Sequence, residues 1–488
     1  MRKSLVKTGL MFLALGVLSV PFSAMEATAA EGGQTAAPVY AAQAPEQYVS
    51  ESEYVNYADA GIGAPCESCC GYGEGLFPCS AKRLGRLYVD GWIAAGANSW
   101  DEPPIVTNAQ GATDSEYKAF QMNQAYLTIG REVSRGCGMS IGGRVDLLYG
   151  TDYLYTSSLG LESQNYYTTY NGLKAPASTV YAASPRWNSN SRGGYPEYGI
   201  AMPQAYGEIY VPFMAGTSIK LGHFYSPLGY ESVMNPSNFF YTHSYSMLYA
   251  EAKTLTGGIV NQQLNQNWSI MAGATEAWDA WDAWNSDVTF IGGAKWENSC
   301  KTSSLAFTIM SGNNIVGSDM VSATQINNIE GKVTNYSLIF QQKLTPALQY
   351  VLQHDYGFIE NGARGISPNW TVDRFDGKWY SLVNYLYYQI NEKLALGGRF
   401  EWFKDENNTR VLSDYVYYDS YRWSGDNFYS ATLGLNWKPT NWMTIRPEVR
   451  WDWSDAELVT DTGTYRPFGK SMDKDSIFSV GGDMIVRF

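Results

Sequence analysis

Few side chains in this sequence could do proton or metal chemistry. Among 488 residues there are three histidines, His223, His243 and His354. His354 precedes Asp355, but neighbours in an extended chain point to opposite faces, so the two cannot act as one acid–base pair. His223 and His243 lie near a long loop. A lipid-cleaving centre would need one of them to meet a serine and a polar orienter at a rim, and no spacing in the sequence brings these together. The expectation is therefore no catalytic residue. Cys66, Cys69, Cys70 and Cys79 cluster in "PCESCCGYGEGLFPC", a C-x₂-C-C-x₈-C pattern that is not a zinc-finger spacing. In an exported chain disulfides are expected instead. Neither metal nor cofactor is implied. Cys137 and Cys300 fall in two short turns on one rim, too far apart for a bond that needs Cα atoms about 4.4–6.8 Å apart. Bonds from the leader cysteines to these turns are an expectation.

The charges are more informative. In "TIRPEVRWDW", Arg446, Glu448, Arg450 and Asp452 share one face with Thr444, while Ile445, Pro447, Val449, Trp451 and Trp453 share the other. Period two marks a strand between unlike environments. Four charges in a row on one face must meet water, because a charge facing lipid at mid-depth costs about 2–4 kcal/mol. The last strand, "SIFSVGGDMIVRF", repeats the pattern. Phe478, Val480, Gly482, Met484, Val486 and Phe488 take the oily side, with Asp483 and Arg487 opposite and Ile477 and Ile485 as exceptions.

The elements that position these charges must all be strands. Charged residues are 17% and aromatics 15%, with 37 Tyr, 16 Trp and 48 Gly, which suits β-structure with interfacial aromatics. Arg2, Lys3 and Lys7 precede an apolar run from Gly9 to Val20 and an A-x-A-like site at residues 27–29, so residues 1–29 read as a signal peptide. Residues 30–83 read as a flexible, Cys-containing periplasmic leader. Removing the signal's three basic groups and Glu26 takes the formal charge from −13 to −15, which argues against a nucleic-acid partner. After the signal no 18-residue apolar stretch occurs, so a membrane location requires a closed barrel.

Alternating segments run from residue 84 to 488. The expected strands are 86–96, 119–133, 138–149, 202–213, 217–227, 254–264, 267–277, 287–297, 302–312, 333–344, 347–358, 378–391, 394–405, 427–438, 442–454 and 475–488. Their lengths suit tilted bilayer-crossing strands of about 9–11 residues. Long and short connections alternate throughout, as in a meander whose rims face different compartments. The fold class is thus all-β, a transmembrane antiparallel up-and-down β-barrel of about 16 strands. Parity adds Asp90, Arg144, Asp146, Glu208, Lys220, Arg399 and Glu401 to the water-facing set. Trp268, Trp296, Tyr380, Trp437 and Trp442 gather at strand ends, where an interfacial girdle belongs. Sixteen strands should leave an aqueous channel. The longest loop, 150–201, is expected either to fold inward and narrow it or to stay outside as surface decoration.

"IGGRVDLLYGTDY", "MPQAYGEIYVPF", "KLGHFYSPLGYES", "NFFYTHSY", "VLQHDYG", "LGGRFEWFKDENNTR", "LGLNWKP" and "IRPEVRWDW" together resemble the beta-barrel porin-2, OmpL-like family over about residues 84–488. The resemblance implies a pore in a Gram-negative-type outer membrane, in contact with its lipid, and a homotrimer. Phe488 resembles the terminal aromatic read by the barrel-assembly machinery. "GHFYSPLGYE" is also similar to phosphate-selective porins, which rely on basic lumen residues. Here the lumen set holds six basic and seven acidic groups, so passive diffusion of small hydrophilic solutes with weak cation preference is expected. The rival readings are a non-conducting structural or adhesive barrel, an anion-selective porin, a secreted β-rich binding protein and an outer-membrane lipid hydrolase.

Overall fold

The computed structural model describes residues 87–100, 120–136, 138–156, 158, 161, 163–165, 167–170, 173–176, 183–185, 198–281, 288–322, 325–366, 372–406, 409–411, 423–460, 463–469 and 473–488. Residues 1–29 and 30–83, expected to be signal peptide and leader, and with them Cys66, Cys69, Cys70 and Cys79, lie outside these residues, as does Cys137.

Sixteen strands close into one antiparallel barrel. They are β1 (Leu87–Trp100), β2 (Gln121–Arg131), β3 (Ser140–Gly150), β4 (Gly199–Val211), β5 (Thr217–Tyr225), β6 (Thr254–Gln263), β7 (Trp268–Thr275) and β8 (Thr289–Glu297), followed by β9 (Ser303–Ser322), β10 (Gln325–Thr345), β11 (Leu348–Ile366), β12 (Val372–Asn391), β13 (Leu394–Glu406), β14 (Asn427–Thr440), β15 (Met443–Ser454) and β16 (Ser476–Arg487). Each expected strand has its counterpart in this order. The seam joins β1 to β16 from Trp92 opposite Arg487 to Trp100 opposite Ser479. It is extended by Phe488 N donating to the Gly91 carbonyl at 2.9 Å and Gly91 N to the Phe488 carbonyl at 3.3 Å. Closure pairs both edges that an open sheet would expose.

Four strands are much longer than expected. β9 and β10 run on to a connection at 323–324, and β11 and β12 to one at 367–371, where the alternation of long and short connections predicts loops over 313–332 and 359–377. The extra residues form two tall hairpins continuing one rim. The short turns on the opposite rim stand as expected; residues 346–347, 392–393 and 441–442 join β10 to β11, β12 to β13 and β14 to β15.

The wall has two unlike faces. Trp451 is 50% exposed and its neighbour Arg450 1%. Leu433, Leu435 and Trp437 on β14, Val145 and Leu147 on β3, and Phe478, Val480 and Met484 on β16 are likewise exposed outward. Trp268 sits opposite Trp296 at the short-turn rim, and Trp437 is half exposed nearby. Ile477 and Ile485, which break the alternation of the last strand, are buried on the inward face. An outward mid-wall position should reject charge. Leu433→Arg is expected to destabilise the barrel by about 2–4 kcal/mol in denaturant unfolding from vesicles, and Leu433→Ile to change it little.

Candidate functional site

The residues that fill the barrel lie in the connection 226–253, between β5 and β6. Its wall partners lie on β11 to β16, on the far side of the ring from β5 and β6, so the segment crosses the interior. Local sequence shapes it. Gly229 takes a left-handed φ of 83° that lets the chain turn. Pro236 opens a 3₁₀ turn at Asn235–Ser237. Asn238 ties the bend: its Oδ1 accepts from Ser232 N at 2.9 Å, and its Nδ2 donates to the Ser232 carbonyl at 2.5 Å. A single π-helical turn, Ser246–Ala250, completes the crossing.

The wall grips this loop with charge. Glu448 accepts from Tyr241 N at 2.8 Å, Thr242 N at 3.2 Å and Thr242 Oγ1 at 2.5 Å. Glu401 accepts from Tyr245 N at 2.7 Å and Ser246 N at 2.6 Å. Arg446 pairs with both oxygens of Asp483, at 2.8 and 2.6 Å, and donates to the Asn235 and Asn238 carbonyls at 2.9 and 2.7 Å. Arg450 pairs with Asp452 in the same two-pronged way and donates to the His243 carbonyl at 2.6 Å. Arg399 donates to Glu231 at 2.7 Å and to the Thr242 carbonyl at 2.8 Å. On the other flank Gln124 donates to the Val233 carbonyl at 2.7 Å, and Tyr230 N donates to Gln353 at 3.0 Å. All these wall side chains are buried. A charge taken out of water needs an opposite charge or several hydrogen bonds; Arg399, Arg446 and Arg450 have carboxylate partners, while Glu401 and Glu448 are held by backbone N–H and hydroxyl donors. Burial alone would raise the Glu231 carboxyl, but the Arg399 guanidinium beside it and the His243 ring hold it well below the usual carboxylate range.

Apolar packing completes the seal. Phe239 lies against Gly397 and Phe240 against Gly434, where any Cβ would crowd the rings. The costly glycine in "LGGRFE" is thus explained by close approach of the loop. Gly397→Leu is expected to displace Phe239 and cost about 1–3 kcal/mol, measured by chemical unfolding. Trp92, Tyr126, Val233, Met234, Met247 and Ile485 form a second contact, around β1, β2 and β16. Phe224, Leu228, Leu255, Ile259, Met271, Ile291 and Met310 form a third, along β5 to β9. Every barrel strand therefore carries at least one buried inward residue. The interior is narrowed at loop height by these contacts.

Of the remaining sequence-derived positions Asp146 is fully buried and the others are more open. Arg144 donates to Asp146 at 2.8 Å, and Asp146 also accepts from Tyr126 and Gln204. Glu208 bonds Ser218, and Arg135 lies 3.9 Å from it. Lys220 stands 4.3 Å over the Tyr206 ring. Arg487 reaches the Pro236 carbonyl at 3.4 Å, and Asp90 is exposed. Cys300 is an exposed free thiol in the β8–β9 turn.

Of the loop 150–201, residues 157, 159–160, 162, 166, 171–172, 177–182 and 186–197 lie outside the described residues, and the described start of the loop meets the interior. Asp152 accepts from Gln124 at 2.9 Å, and Tyr153 packs beside Val233. The segment that fills the barrel is 226–253. The sequence reading missed it, along with Glu231, Gln124, Gln353 and Asp355. A usable signal was present: this long loop is rich in Phe, Tyr and Met, and carries only Glu231, Glu251 and Lys253 as formal charges. A loop bathed in water has no reason to be so oily.

The three histidines offer no exposed catalytic centre. Ser158 Oγ lies 3.3 Å from His223 Nε2, and Thr256 Oγ1 lies 2.8 Å from Nδ1, a nucleophile-like arrangement. Ser158 and His223 are both buried, however, and a nucleophile must reach its substrate. His243 faces Glu231. His354 stacks on Tyr336 with ring centroids 5.7 Å apart, while Asp355 points inward.

Among solved structures, the outer-membrane channel DcaP of Acinetobacter baumannii is similar at 9% identity and TM-score 0.46, covering 82% of this chain and 97% of that one. The trimer form of OmpT of Vibrio cholerae is similar at 8% and 0.47, covering 82% and 99%. An anion-selective porin from Comamonas acidovorans is similar at 7% and 0.47, covering 82% and 99%. No curated protein matches. The family model described as "Putative beta-barrel porin-2, OmpL-like" matches residues 86–488, a span that begins one residue before β1 and ends at Phe488. A closed wall with oil outside and charge inside is what that family's outer-membrane role requires, and the chain belongs to the beta-barrel porin-2, OmpL-like family of outer-membrane porins.

Proposed function

We propose that this porin passes small hydrophilic solutes and ions down their gradients through a passage narrowed by the loop 226–253, with weak cation preference. The observation that carries the reading is the paired state of the interior charges. Arg446 with Asp483, Arg450 with Asp452, Arg399 with Glu231 and Arg144 with Asp146 each lie within 2.8 Å. Paired charges present little net field to a passing ion. The thirteen positions from Asp90 to Arg487 act here as lumen wall and loop anchors in place of a basic anion ladder. The tilt toward cations comes from the overall negative charge, which enriches them at the mouth.

The reading includes residues 1–29 as a signal peptide, 30–83 as a periplasmic leader, and a homotrimeric assembly. It also includes Phe488 as the residue the assembly machinery reads. Phe488 deletion should lower outer-membrane levels, and normal levels would argue against that role. Liposome swelling with sugars of increasing size tests the transport reading. Entry of the smallest polyols with a sharp size cut-off supports it, and no swelling with any solute favours a structural barrel. A reversal potential showing strong anion preference would refute the cation tilt.

A further inference from the structure

We propose that the pocket where the loop rejoins the wall is a calcium site, formed by the carboxylates of Glu251 and Asp355, the amide oxygen of Asn335 and the hydroxyl of Ser337. Four side-chain oxygens there, Glu251 Oε2, Asn335 Oδ1, Ser337 Oγ and Asp355 Oδ1, are buried without a hydrogen-bond partner. Their residues are all 4% exposed or less. Buried polar atoms are usually hydrogen-bonded, and four unpartnered oxygens in one region call for an explanation.

Strand register and hydrogen bonds bring the four residues to one region. Ser337 faces Asp355 directly across the β10–β11 ladder, and Asn335 is the next inward residue on β10. Asn335 Nδ2 donates to the Ala250 carbonyl, one residue before Glu251, at 3.3 Å. The Glu251 carboxylate lies against Gly229, at a point no Cβ could share. The next residue, Tyr230, is held by Gln353, which donates to Asp355 Oδ2 at 2.8 Å. That same Oδ2 also accepts from Ser381 at 2.6 Å and from Ser246. Asp355 is thus fixed through one oxygen and offers the other.

The donor chemistry is all oxygen. The amide nitrogens of Asn335 and Gln353 are committed elsewhere. Lys253 Nζ goes to the Glu251 carbonyl at 2.7 Å, not to its carboxylate. The carboxylate oxygen Glu251 Oε2 and the carboxylate oxygen Asp355 Oδ1 are both left without a hydrogen-bond partner. Calcium takes six to eight oxygens in flexible geometry, at about 2.3–2.6 Å. Four protein oxygens and bound water would meet that need, and would staple the end of the loop to β10 and β11.

The test uses full-length protein refolded in detergent and stripped with a chelator. Calcium titration by calorimetry should give one site per chain. Terbium should show emission sensitised by Trp379, whose Nε1 donates to the Ala250 carbonyl at 3.1 Å, and calcium should displace it. Ser337→Ala removes a hydroxyl that holds nothing in the loop, and should weaken calcium by roughly tenfold with unchanged circular dichroism. Glu251→Gln should abolish the signal. Absence of stoichiometric binding would make the pocket a water cavity and overturn the proposal. Binding that neither substitution alters would place the ion on surface carboxylates and overturn it equally.

Discussion

Replacing residues 226–253 with a short glycine–serine linker is expected to raise single-channel conductance severalfold. Flow through a tube is limited at its narrowest section, and in this barrel that section is filled by one connection. The ends of the loop are close together, since Tyr225 pairs with Thr254 across β5 and β6 and paired strands lie about 4.8 Å apart. A short linker therefore closes the gap without strain. The wall groups left behind, Glu401, Glu448, Arg446 and Arg450, would face water instead of loop backbone, and solvated charges carry no burial penalty. The backbone ladder of the barrel does not pass through the loop, so the variant should still fold and insert. A sixteen-strand ring without its loop returns to the open aqueous lumen that strand number implies. Planar-bilayer recording decides the matter. Unchanged conductance would mean that the loop does not limit flow.

The second large effect is expected from Arg446→Ala, at about 3–5 kcal/mol of destabilisation. Arg446 is buried and makes four strong bonds, two to Asp483 and two to loop carbonyls at Asn235 and Asn238. Alanine leaves an uncompensated carboxylate and two stranded carbonyls. Most of the cost is that stranded charge and not the worth of the pair. Removing Asp483 as well, in an Arg446→Ala, Asp483→Ala double variant, should recover roughly 0.5–3 kcal/mol as coupling. Denaturant unfolding from vesicles measures both, and the single variant should also show noisier open-channel current. A loss below about 1 kcal/mol with quiet current would show that the loop is held by other contacts.

Sequence was informative wherever the two faces of a strand meet unlike media. Arg446, Glu448, Arg450 and Asp452 against Val449, Trp451 and Trp453 settle the orientation of β15, and the same contrast locates the sixteen crossings. The contrast is absent from the upper parts of β9 and β10, where "NNIVGSDMVS" and "QINNIEGK" mix polar and apolar residues at both parities, so period two fades and the segment resembles a loop. The packed interior was hidden for a different reason. Length suggested 150–201 as the inward segment, yet length does not say which loop has its polar backbone satisfied inside. The oily composition of 226–253 does, as do Ile477 and Ile485. They break the polar face of the last strand, and Ile485 packs against the loop. The contacts from Glu448, Glu401 and Arg399 to loop backbone carry no sequence signature, because backbone donors and acceptors are the same at every residue.

The most direct measurement is the current through the unmodified protein in a planar lipid bilayer, with insertion verified independently by quenching of outward tryptophans such as Trp451 by brominated lipid. Discrete steps of small, ohmic conductance, with a reversal potential displaced slightly toward cations, are the predicted result. Efficient quenching together with a bilayer that stays electrically sealed would contradict the account, because the barrel would then be in place and conduct nothing.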